Sequence, residues 1–151
     1  MQKLLFLFIL VLPLQCKTTA ESSKMNQTED HVIIAKGELY GAGAEGIGKE
    51  NLIITSQEEW QQCMDKMNAV NKVSDGFSTT DIDFSTHRIL AVFDELKSTG
   101  GHTIDIDLSE TDENIIAKIT SHSPEGMATS VMTQPFCIVK IANTSLPVVF
   151  K

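Results

Sequence analysis

Apolar and polar positions fall into two contrasting patterns on either side of one glycine pair. Residues 89–93 (Ile89, Leu90, Ala91, Val92, Phe93) form an unbroken apolar run, the pattern of a strand buried on both faces. Past Gly100 and Gly101, Ile104, Ile106 and Leu108 alternate with Thr103, Asp105 and Asp107. That period of two marks a strand with one dry and one wet face. The two runs predict a β-hairpin with Lys97, Ser98, Thr99, Gly100 and Gly101 near its tip.

The same patterns recur along the chain. Residues 32–40 (VIIAKGELY) and 51–55 (NLIIT) read as strands, rich in β-branched residues. Residues 56–70 predict the one clear helix. Ser56 is its N-cap and Glu59 completes a capping box. Glu58 and Glu59 suit the positive end of the helix dipole. Trp60, Cys63, Met64 and Met67 form an apolar stripe at i, i+3, i+4 and i+7, suited to a core against a sheet. Residues 71–85 read as a polar loop, 109–114 as a turn, 115–121 as a strand returning antiparallel, and 122–128 as a loop broken by Pro124 and Gly126. Residues 131–142 form a long strand run in which Pro135 predicts an edge position, a bulge or a bend. Residues 146–150 close the chain as a short strand. The expected fold is mostly β (α+β): an antiparallel, sandwich-like sheet of about seven strands with one packed helix.

Composition adds limits. The chain has 151 residues and a formal net charge of −8, enough length for one domain with a core. No Lys/Arg cluster tracks a phosphate backbone, so nucleic acid is not an expected partner. The acidic balance also disfavours peripheral binding to anionic lipid. Gly41, Gly43 and Gly46 fit a dinucleotide motif, and Gly43, Gly48 and Lys49 fit most of a phosphate loop. Glu50, however, stands where a magnesium-binding hydroxyl belongs, and a strand rather than a helix is predicted to follow. The segment reads as a flexible connection, and no cofactor is expected. His31, His87, His102 and His122 are scattered without metal-ligand spacing, so no metal is expected either.

The start of the chain carries a targeting pattern. Lys3 precedes an apolar run over residues 4–14, the length of a signal-peptide core and too short to cross a bilayer. Cys16 follows directly, and a cysteine placed there resembles a bacterial lipoprotein signal, which would make residues 1–16 a signal peptide with Cys16 as candidate lipidation site. Gln15 stands where a lipoprotein signal usually has a small residue, and cleavage after Ala20 is the alternative. Residues 17–31 read as a disordered linker and 32–151 as the domain. The chain is therefore expected to be exported, held at the bacterial outer membrane or in the periplasm by an N-terminal lipid, or else soluble in the periplasm or secreted. In that oxidising setting Cys63 and Cys137 could pair as a disulfide, or act as two small buried hydrophobes.

The order of elements resembles the PrcB-like family, exported bacterial proteins named for a subunit of a surface protease complex. The residues that carry the resemblance are Glu59 and Trp60, Asp83 and Phe84, 89–93, the run Thr99-Gly100-Gly101-His102-Thr103-Ile104-Asp105-Ile106, and Thr133-Gln134-Pro135-Phe136 with Val139 and Ile141. It covers most of residues 33–150. The family pattern has an aromatic after the glycine pair, where this chain has His102. The resemblance implies a non-catalytic envelope lipoprotein that serves as a protein-binding accessory subunit, with a protease or other envelope protein as partner. Thr99, Gly100, Gly101 and His102 are then the candidate contact. Two alternatives are a β-sandwich protease inhibitor using the Gly100-Gly101 tip and a small-ligand-binding envelope protein. No GxSxG, Cys-His or placeable carboxylate pair supports a hydrolase.

Overall fold

The computed structural model describes residues 31–151 and the backbone of residues 26–27; the candidate signal peptide, Cys16 and most of the linker lie outside the described residues. The strands are β1 (Asn26–Gln27), β2 (His31–Leu39), β3 (Glu50–Ile54), β4 (His87–Phe93), β5 (Thr103–Glu110), β6 (Ile115–His122), β7 (Gln134–Ala142) and β8 (Val148–Phe150). Among the described residues, one α-helix, α1 (Gln57–Met67), followed by a 3-10 turn at Val73–Gly76, lies between β3 and β4. The strands form two four-stranded sheets, ordered β2-β7-β4-β3 and β1-β5-β6-β8. The fold is mostly β with one packed helix, as the patterning predicts.

Two core layers share the sheet β2-β7-β4-β3. On its outer face, the Trp60, Cys63, Met64 and Met67 stripe of α1 packs with Ile89, Ala91, Phe93, Phe136 and Ile138. On its inner face, Leu90, Val92, Cys137, Val139 and Ile141 meet Ile104, Ile106, Leu108, Ile115 and Ala117 of the second sheet. This explains the unbroken apolar run of β4: odd residues face the helix and even residues face the other sheet. The alternating run of β5 follows from the same arrangement, because its outer face meets solvent.

The helix starts as its sequence indicates. Glu59 N–H donates to Ser56 Oγ at 3.2 Å, and the Glu59 carboxylate reaches back to Thr55 N–H at 2.8 Å, one residue beyond the cap itself.

Several expectations are corrected. β4 and β5 do not form a hairpin. β4 is flanked by β3 and β7, whereas β5 pairs with β1 and β6. Residues 94–102 therefore cross from one sheet to the other. A strand buried on both faces needs neighbours on both edges, and β3 and β7 fill them. Pro135 lies at the start of a central strand, not an edge one. β4 ends opposite Phe136, so Pro135 has no ladder position there, and its carbonyl accepts from Asp94 N–H at 3.0 Å. β8 runs parallel to β6. It arrives from the other sheet, so no hairpin turn sets its direction.

Candidate protein-binding end

Strand directions gather three connections at one end of the molecule. The β2–β3 loop (40–49), the β4–β5 crossover (94–102) and the β6–β7 loop (123–133) all lie where β2, β4 and β6 end and β3, β5 and β7 begin. Side chains that point into this end from the sheets hold the loops in place.

Glu38, near the end of β2, is the first anchor. Its carboxylate accepts from Gly101 N–H (3.0 Å), His102 N–H (3.1 Å), Thr133 Oγ1 (2.7 Å) and Tyr40 OH (3.2 Å). Burial pushes its pKa up, but these four donors outweigh that and hold it below its ordinary value. Thr133 is fully buried. It also faces Thr99 O at 2.9 Å and exchanges backbone hydrogen bonds with Lys97.

Gln134 is the second anchor. It is 2% exposed, and its side-chain amide donates to Ile47 O (3.0 Å), Gly48 O (3.3 Å) and Asp94 O (2.9 Å). The glycine-rich connection is thus pinned rather than flexible. It turns through Ala42 at φ 52°, Gly43 at 89° and Gly46 at 67°. The buried Glu45 carboxylate takes Gly41 N–H at 2.8 Å. A strand follows it, so neither nucleotide motif has the helix it requires.

Asp94 is the third. It accepts from Glu95 N–H (2.8 Å) and Ser121 Oγ (3.1 Å) and pairs with Lys49 (3.0 Å) and Lys97 (3.3 Å). Burial raises its pKa, but the Glu95 N–H and the two ammonium groups more than offset this, so that it lies at about 2 against an ordinary 3.8. A folded pKa below the unfolded one stabilises the fold above the unfolded value, and the gain is lost as pH falls through the folded one. Wild-type stability should therefore fall by about 2 kcal/mol on this account between pH 5 and pH 2. Urea midpoints across that range should show a shallower acid limb for Asp94→Asn. Equal slopes would remove Asp94 from the acid response.

The expected site residues take more constrained roles than a free tip would give them. Thr99 Oγ1 meets His102 Nε2 at 2.9 Å. Gly100 is buried, and a Cβ there would stand 2.6 Å from Thr129 Oγ1 and 3.2 Å from Val131 Cγ1. Gly101 has φ 90° and lies against Pro124. The glycine pair is a packed strut. Cys63 and Cys137 are both unpaired. They belong to opposite faces of the same sheet, which rules out the bridge, and burial pushes both thiols up to about 11. They serve as small core hydrophobes.

Glu38 and Asp94 were missed in the sequence. The one hint was position, each being a carboxylate next to a strongly apolar stretch. The charged groups here are committed to holding backbone. Glu38 meets the His102 main chain rather than its ring, so Thr99, His102 and Glu38 do not line up as nucleophile, base and orienter. Among the described residues no group of three or more His, Cys, Asp or Glu side chains could hold a metal.

Beside charged groups such as Lys49 and Glu95, the end presents several apolar side chains outward. Tyr40, Leu96, Met127, Val131 and Met132 are exposed on these loops and make up five of the nine large hydrophobics exposed among the described residues. Leu96 lies beside Gly43 and Val131 beside Gly100.

Comparison with curated proteins and with solved structures gave no match. A family model described as PrcB C-terminal matches residues 88–142, from β4 through β7. That span contains the glycine strut, Asp94, Thr133 and Gln134 but not Glu38. Over that span the chain is similar to the PrcB C-terminal family.

Proposed function

We propose that this domain is a non-catalytic, protein-binding accessory subunit at the cell envelope, working with a protease complex and tethered by a lipid on Cys16. The partner meets the loop end through Tyr40, Leu96, Val131 and Met132. The observation that carries this reading is the gathering of exposed apolar side chains on loops that a buried polar network holds fixed. Exposed apolar patches rimmed by polar groups mark interaction sites. Loops fixed before binding lose little entropy when a partner docks. The family match supports association with a protease complex.

The test is a pull-down from envelope extract with wild-type bait beside a Tyr40→Ser/Leu96→Ser/Met132→Ser variant shown by circular dichroism to be folded. A protease or its precursor should be retained by wild type and reduced about tenfold or more on the variant, as for loss of contact hot spots. Equal retention would move the contact off this end. A wild-type lane without any protease would refute the accessory role.

A further inference from the structure

A second surface lies along the side of the molecule, and its argument does not depend on the loop end. Among the described residues, β3 is an outer strand of its sheet and pairs with β4 alone. Among the described residues, the backbone of residues 51–54 has no hydrogen bond beyond that pairing. The opposite edge of the same sheet is partly capped, since Ser78 N–H donates to Ile34 O and Ser78 Oγ to Ile33 O. β3 carries no proline and no bulge, its one charged residue, Glu50, lies at its start, and Ile53 is 40% exposed.

Beside this edge, between β3 and α1, runs a groove of about 230 Å³. Leu52, Ile54 and Cys63 give it an apolar floor, and Glu50, Glu59 and Lys66 supply its charge. A strand added to β3 would bond to the outer row of N–H and C=O groups. Its alternate side chains would then point to the helix side and enter the groove. Two carboxylates against one ammonium favour a basic residue in the incoming segment. A second copy of this chain fits less well. Antiparallel pairing of two β3 strands about a two-fold axis would set Glu50 and Glu59 of one copy beside the same acids of the other.

We infer that the β3 edge and its groove bind an extended segment of a protein partner, apolar at alternate positions and carrying a basic residue, by strand addition. The probe is a fluorescein-labelled decapeptide that alternates leucine with threonine and ends in two lysines, titrated onto the full-length chain. Saturable binding is expected, with amide shifts at Asn51 to Ile54, and a version ending in two glutamates should bind more weakly. Gln62→Trp, on the exposed helix face lining the groove, and Glu50→Lys should each weaken binding about tenfold. Tyr40→Ser should leave it unchanged. Circular dichroism checks each variant, and either variant alone suffices if the other misfolds. Absence of saturable binding, or binding that neither variant weakens, overturns the inference. So does sedimentation showing a peptide-free dimer joined through β3.

Discussion

Replacing Glu38 by alanine should destabilise the domain by about 3 kcal/mol, because several donors lose a charged acceptor at once and one of them cannot reach water. Thr133 is fully buried, and the Gly101 and His102 amides sit in a packed crossover. The effect should be local before it is global. Amide exchange at Gly101 and His102 should quicken while that of β4 and β7 stays slow. Glu38→Gln keeps acceptor oxygen but no charge, so it should cost less. The pH response carries a definite sign. The folded pKa of Glu38 lies below its ordinary 4.5, so its stabilising share is present above that value and declines as pH falls through the carboxylate range. Urea denaturation at pH 7 and pH 3 measures both. A loss under about 1 kcal/mol at pH 7 would show that the crossover holds without this carboxylate.

Trp60→Ala should have the larger effect, about 4 kcal/mol, within the range for deleting a buried tryptophan. Trp60 is fully buried on α1, stacks with Phe77 at 6.0 Å between ring centroids, and donates its Nε1–H to Thr80 O at 3.0 Å. Truncation would open a cavity between the helix and the sheet and leave the Thr80 carbonyl without this donor. A loss of that size is a large share of a typical domain's stability of about 5–15 kcal/mol. If the alanine variant does not fold, Trp60→Phe keeps most of the packing and removes only the donor, with an expected cost of about 1–2 kcal/mol. Circular dichroism during urea denaturation is the measurement, since Trp60 is the chain's one tryptophan. A change under 1 kcal/mol in the alanine variant would mean that α1 is not held to the sheet by this side chain.

Taken together, the two substitutions separate the molecule's two jobs. Trp60 secures the helix over the outer face of the sheet, and with it one wall of the β3 groove. Glu38 secures the crossover beneath the exposed Tyr40, Leu96, Val131 and Met132. Loss of partner binding in Glu38→Ala at a temperature where the sheet remains intact would tie recognition to loop order as well as to the exposed side chains.

Much of the fold was legible from local pattern. The period of two in residues 103–108, the unbroken run of 89–93 and the i, i+3, i+4, i+7 stripe of α1 each state which faces a segment must bury, and side-chain direction is fixed by local backbone geometry. Ser56 and Glu59 marked the helix start for the same reason. The family likeness was readable too, because its motif residues hold the ends of strands together.

What the sequence could not reveal was which strands are neighbours. A buried run and an alternating run joined by two glycines fit a hairpin as well as a crossover between sheets. The choice depends on β3 and β7, which lie far away along the chain and fill both edges of β4. Pairing is settled by hydrogen bonds between distant backbones, and these leave no local periodicity. The site follows the same logic. Glu38 meets Gly101 and Thr133 across 63 and 95 positions of sequence, and Gln134 reaches Ile47 across 87. The chain therefore determined by itself that it is mostly β with one capped helix on an apolar face. Only the tertiary structure packed Gly100 against Thr129 and Val131, set Cys63 and Cys137 on opposite faces of a sheet, and gathered three distant loops with their exposed apolar side chains at one end.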